Sequence, residues 1–241
     1  MSAAKQPARK RLSRELILEA ALGIVGTDDM NELTMSRLGR ALDADPSAVY
    51  RHFRNKDELL LAMADVQMEE VVRTYEPGDD PYANLRHMLW VLRRSYLSRP
   101  GLARAVAPRF TGGAAETVLV RQMIDNVRSL GYDEVAAIAR VRAAAEMTLG
   151  HIIMTAEVVS LPRKAQAFEL EMARSYYTYP KQPLSPAPLE EQRAANRADG
   201  DEVYSTMLET FLAGLAAHAP SASAPRKPKA AEATSARRSA R

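Results

Sequence analysis

Between residues 45 and 56 the chain reads DPSAVYRHFRNK, which sets Ser47, Ala48, Tyr50, Arg51, His52 and Arg54 within eight positions. These residue types share one kind of chemistry. An arginine fork addresses both acceptors of a guanine, a serine hydroxyl pairs with either kind of groove edge, and an alanine methyl fits against a thymine methyl. Tyrosine and threonine hydroxyls suit phosphate oxygens. Lys56, at the start of the following helix, adds a cation beside free backbone N–H groups, a second phosphate clamp.

Other chemistries find little footing. The four histidines, His52, His87, His151 and His218, are scattered without metal-ligand spacing, and there is no cysteine. Thiol nucleophiles, disulfides and cysteine-based zinc sites are excluded together. No Gly-rich phosphate loop or nucleophile motif occurs, and TGGAAET reads as a turn before a helix. No catalytic residue, metal site or cofactor is therefore expected. No apolar run approaches the roughly 18 residues that span a bilayer. The basic N-terminus lacks the apolar stretch of a secretory signal. A cytoplasmic protein is expected.

The net charge of +3 conceals an uneven distribution. Residues 1–14 carry +5, and residues 219–241 carry another +5. The body between them is acidic, and the basic ends suit polyanion contact. Residues 1–12 read as a disordered basic arm and 219–241 as a low-complexity basic tail.

The reading set needs elements to hold it. β-Branched alternation is almost absent, so the expected class is all-α. Ser13 caps a first helix, with Ile17, Ala21 and Ile24 on one face. Thr34 caps a second, whose apolar face is Met35, Leu38 and Leu42, with Ser36, Arg37 and Arg40 off it. Asp45 caps a third that begins at Pro46. Asn55 and Glu58 have the spacing of a capping box for a fourth, running to about Thr74. Extended at 100° per residue from Val49, the third helix puts Phe53 and Pro46 within about 60° of Val49. Ser47, Tyr50, Arg51 and Arg54 fall between about 100° and 200°. Two short helices joined by a tight turn match the helix-turn-helix plan. Spacing alone equally permits a helical hairpin with a solvated basic face.

The run LTMSRLGRALDADPSAVYRHFRNKDELLLAMAD decides between them. It resembles the N-terminal domain of the tetracycline-repressor (TetR) family, with its L-T-M-R-x-L-A and D-P-x-A-L-Y-R-H-F-x-x-K-x-E-L-L patterns. The likeness covers roughly residues 12–66. Two departures stand out: Asp43-Ala44 replaces the usual Gly-Val of the turn, and the glycine usual between the first two helices is missing. On this resemblance the DNA-contacting set is Thr34, Ser36, Arg37, Ser47, Ala48, Tyr50, Arg51, His52, Arg54 and Lys56.

The resemblance also implies a partition: a helix-turn-helix domain over 13–56, a connecting helix over 57–75, and an effector-binding and dimerisation domain over 76–218. It implies a homodimer on a pseudo-palindromic double-stranded operator, acting as a repressor that a small apolar or amphipathic effector releases. The helix 133–161 is apolar on more than one side. Helix 201–218 carries Val203, Met207, Phe211 and Leu215 in a stripe. These two are the expected dimer elements. Trp90, Tyr96, Phe110, Met123, Met147, His151, Met154, Tyr176 and Tyr177 are the candidate effector-contacting residues. Two other classes remain: a helical small-molecule-binding protein without sequence-selective DNA binding, or an enzyme with an unrecognised site in the C-terminal core.

Overall fold

Short polar side chains start most of the helices. In the computed structural model, which describes residues 12–25, 33–176 and 199–220, every regular element is a helix. The Ser13 hydroxyl accepts the Leu16 N–H ahead of α1 (Arg14–Val25). Thr34 accepts the Arg37 N–H ahead of α2 (Met35–Ala41), and Asp45 accepts the Ser47 N–H ahead of α3 (Pro46–Tyr50). Asn55 accepts the Glu58 N–H ahead of α4 (Lys56–Thr74). Each cap satisfies a backbone donor that the first turn leaves open.

The expected box at Asn55 is only half formed. The Glu58 carboxylate accepts the N–H of Arg54, at 2.9 Å, and pairs with Arg14 from α1 at 3.0 Å. The complete capping box lies at Asp199 and Glu202, ahead of the last described helix.

The C-terminal helices are α5 (Pro81–Leu97), α6 (Pro100–Val106), α7 (Ala114–Ser129), α8 (Glu134–Val159), α9 (Arg163–Tyr176) and α10 (Gly200–Ala217). The α6 helix stops before Phe110, which lies in the following loop. Helix α4 packs against α1 on one side and against α5, α6 and α7 on the other. Inside, Gln67 and Ser95 exchange hydrogen bonds: each side chain donates to the other's carbonyl at 2.9 Å. The turn between α4 and α5 is held by Asn84, which donates to Gly78 and Asn126, while Asn126 donates to Tyr75.

Two helices differ from the sequence reading in which face they bury. The inward stripe of α10 is Tyr204, Leu208, Leu212 and Leu215, one step round from the expected one. Val203 is exposed, and Met207 and Phe211 are half-buried. In α8 one stripe from Ala137 through Val141, Ala144, Thr148, Ile152 to Ala156 is buried. Its second apolar side, with Val135, Ile138, Met154 and Val159, faces outward in the single chain. Residues 1–11 of the basic arm, residues 26–32, Tyr177, the proline-rich run 180–188 and the tail from 221 lie outside the described residues; Leu12, the last of the arm, packs against the core.

Candidate nucleic-acid interface and effector region

The turn between α2 and α3 is where the chain departs from the family pattern, and it is built without a glycine inside it. Asp43 takes the left-handed conformation, φ 47°. Aspartate tolerates this better than most residues because its short side chain bonds locally. The turn then folds back on α2, with the Ala44 N–H on the Gly39 carbonyl at 2.9 Å. A β-carbon at Gly39 would sit 2.9 Å from the Ala44 oxygen. Gly39 stands where the family pattern has alanine, so the missing glycine has a counterpart four residues upstream. Asp43→Val forces a β-branched residue into the left-handed region. It is expected to lower the unfolding free energy by about 1–2 kcal/mol in denaturant titration.

The α3 helix ends at Tyr50, so Arg51, His52, Phe53 and Arg54 follow it in a turn. The helical projection ran too far, yet the division of faces is as expected. Val49 and Phe53 are fully buried, and Ser47, Tyr50, Arg51 and Arg54 are exposed. Thr34 and Ser36 are exposed at the start of α2; Arg37, Ala48, His52 and Lys56 are half-buried. The Ser47 hydroxyl, followed by its amide, holds the Asp45 carboxyl below its ordinary range, so the cap stays ionised. The Arg54 amide, then the Arg14 side chain, does the same for Glu58.

Arg14 has a role that its place in a basic N-terminus conceals. Its guanidinium lies 4.0 Å from the centre of the Phe53 ring and donates to the His52 carbonyl at 2.6 Å and to Glu58 at 3.0 Å. One side chain thus ties α1 to the turn that carries Arg51, His52 and Arg54.

The effector candidates do not gather in one place. Tyr96 and Met123 are buried where α5 and α7 meet α4, and burial raises the Tyr96 hydroxyl well above its ordinary pKa. Trp90 and His151 lie elsewhere, both against Tyr204, at ring distances of 4.9 and 5.1 Å. Met147 is half-buried. Phe110 is 79% exposed and Met154 74% exposed, so neither joins those buried sets in the single chain. The reason is local: α6 ends before Phe110, and Met154 lies on the outward side of α8. Tyr176 ends α9, and its side chain, like Tyr177, lies outside the description. Two adjoining grooves along α4 and α5, of about 290 and 520 Å³, share Glu70 and Ser95 and are lined by none of the candidates.

Residues missed from the sequence complete the second group. Arg93 is buried against the Trp90 and Tyr204 rings and pairs with Asp201 at 2.7 Å. The signal was present, since Arg93 falls four residues after Leu89 and three before Tyr96, on the apolar face of α5. Burial, then the Arg93 charge, lowers the His151 pKa from its ordinary 6.5. The unfolded chain therefore takes up this proton first as pH falls. The stability contributed by neutral His151 is complete above about pH 6.5 and is lost as pH falls through the lower folded-state value. The melting temperature of the wild type is expected to drop more between pH 7 and pH 5 than that of His151→Gln; parallel curves would refute this.

Comparison with known proteins agrees with this architecture. Residues 17–63 match the bacterial regulatory proteins of the tetR family. A curated HTH-type transcriptional regulator from Saccharopolyspora erythraea is 23% identical over 141 residues, 58% of this chain and 60% of that protein's length. The Streptomyces coelicolor TetR family protein ActR, in complex with actinorhodin, superposes with a TM-score of 0.74 at 24% identity, covering 88% of this chain and 99% of that one. Mycobacterium smegmatis BioQ gives a TM-score of 0.58 at 26% identity over 86% of this chain and 99% of its own. BioQ has also been solved with its double-stranded DNA operator. With an all-helical fold, a helix-turn-helix at its N-terminus and that match over residues 17–63, the chain carries the N-terminal domain of the tetR family of bacterial regulatory proteins.

Proposed function

We propose that this transcriptional regulator is a repressor, not an enzyme, that binds a pseudo-palindromic operator as a homodimer in the bacterial cytoplasm and releases it on binding a small effector. The observation that carries the reading is the exposed row Ser47, Tyr50, Arg51 and Arg54 beside a buried Val49 and Phe53, with Thr34 and Ser36 exposed at the start of α2. A short helix docked by its apolar edge and open along its polar edge has the form that enters a major groove. BioQ, solved with an operator, supports DNA as the partner, and ActR, solved with actinorhodin, supports an effector.

In this scheme residues 13–56 read DNA, α4 joins them to the remainder, and the part beyond residue 76 binds effector and dimerises. The outward apolar side of α8, with Val135, Ile138, Met154 and Val159, and the exposed Val203 of α10 are the surfaces proposed to meet in the dimer. Release follows if the effector binds the DNA-incompetent arrangement more tightly than the competent one.

Mobility shift on the DNA upstream of the gene tests the proposal. Arg51→Ala is expected to weaken the specific complex about tenfold or more and relax selectivity. Lys56→Ala should weaken all sequences alike and reduce the salt slope by about 1. Equal effects on specific and random DNA from both substitutions would sink the assignment of Arg51. A wild-type protein with no sequence-selective complex would favour a ligand-binding protein of another kind.

A further inference from the structure

The buried end of α5 carries a charge that its surroundings only half satisfy. The Arg93 side chain is 5% exposed, and among the described residues its only ion-pair partner is Asp201, which is itself 71% exposed. The guanidinium has five donors in a planar fork. One meets Asp201, and Nε has no hydrogen-bond partner among the described residues. An unpaired donor on a buried charge is costly, and a fork of this shape matches a carboxylate held by two bonds.

The surroundings are those of an aromatic site. Arg93 sits over Trp90 at 5.3 Å and Tyr204 at 5.1 Å, and His151 packs on the other ring contact of Tyr204. The Tyr204 hydroxyl donates to the Leu89 carbonyl at 3.2 Å, so Thr148 donates to Tyr204 at 3.0 Å. That chain fixes the tyrosine and leaves its ring face, not its hydroxyl, for packing. Among the described residues the one ion-pair partner of Arg93 is a carboxylate at the surface, in the first turn of α10.

We propose that Arg93 anchors the acidic group of an aromatic organic acid whose ring lies against Trp90 and His151, and that Asp201 holds the anchor until the acid displaces it. This deepens the effector reading above and rests on it. The acid exchanges one carboxylate for another on the fork and adds the bond to Nε that Asp201 leaves unmade. Freed from Arg93, the first turn of α10 loses a tie to α5, so occupancy reaches a helix proposed to lie in the dimer.

Trp90 is the single tryptophan of the chain, so its emission reports on this place alone. The full-length protein is titrated with 4-nitrobenzoate and, separately, with the uncharged 4-nitrobenzamide, both quenchers of indole on contact. The acid is expected to quench saturably and to bind about tenfold or more tighter than the amide. In Arg93→Met that preference disappears. Arg93→Lys, which keeps the charge but not the fork, retains part of it and serves if the methionine variant fails to fold. Asp201→Asn removes the internal competitor, so the acid binds severalfold tighter while the amide is unchanged.

Equal binding of acid and amide, no quenching by either, or weaker acid binding in Asp201→Asn would overturn the proposal. Mobility shift separates it from the reading beneath it. Acid binding that leaves the DNA complex untouched supports the anchor and counts against effector release. A compound that releases DNA without touching Trp90 emission overturns the anchor and leaves effector release standing.

Discussion

Phe53→Ala is expected to cost about 3–5 kcal/mol, the range for deleting a buried aromatic ring. Phe53 lies outside any helix, in the turn after α3, yet it is fully buried. Its ring is part of the core and carries the Arg14 guanidinium of α1 on its face, 4.0 Å from its centre. Removing it leaves a cavity in the core that α3, only five residues long, is too short to close. The lost area also releases Arg14, whose bonds to His52 and Glu58 then hold less of the turn in place. Hydrogen exchange should show amides of α2 and α3 losing protection while those of α5 and α8 keep theirs. DNA binding should fall with them. Phe53→Leu, which refills most of the volume, should recover most of the stability. Unchanged protection in α2 and α3 of the alanine variant would contradict this.

The second large effect lies where α4 meets the start of α7. The Asp65 carboxylate accepts the N–H of Glu116 at 2.9 Å, the N–H of Ala115 at 3.2 Å and the Thr111 hydroxyl at 3.3 Å. It thus caps a helix that begins 49 residues later in the chain. Gly113 makes room, because a β-carbon there would fall on the Asp65 carboxylate. Gly112, with φ 66°, turns the chain into that position. Asp65→Ala strands the amides at the positive end of α7 and is expected to cost about 2–3 kcal/mol. Gly113→Ala should cost a comparable amount, since it expels the same carboxylate from the same donors. The double variant should be no worse than either single one, as expected when two substitutions break one interaction. Additive losses in denaturant titration would show that the two act separately.

The sequence displayed whatever is settled within a few residues. Ser13, Thr34, Asp45 and Asn55 cap the helices expected of them, because a cap binds an amide two or three positions away. The exposed and buried edges of the α3 region were legible for the same reason, although the helix ends sooner than the projection assumed. Glu58 was not legible. Its local spacing pointed to Asn55, but Arg14, 44 residues earlier, draws it aside and it accepts from Arg54. TGG was legible as a turn but not as a socket, since Asp65 has no local sign of its destination. Arg93 and Asp201 are separated by most of the C-terminal part, so the pair is invisible until α5 and α10 meet. The inward face of α10 was read one step out, because its apolar residues span two adjacent stripes and only packing chooses between them.

The position of Asp65 along α4 has a mechanical meaning. It is the central residue of a helix of 19, with nine on either side. At about 1.5 Å per residue each half is roughly 13 Å long. A rod pinned at its middle behaves as a balanced lever with the carboxylate as fulcrum. Any displacement at the Thr74 end returns at the Lys56 end, equal in size and opposite in direction, without gain. A tilt of about 10° would carry the Lys56 end by roughly 2 Å, more than a hydrogen bond to a base edge tolerates. The solvent-exposed pair between Asp57 and Arg109, which joins that end to the loop after α6, is too weak to oppose it. Moving the pin, not stiffening the rod, would change how far the reading head swings.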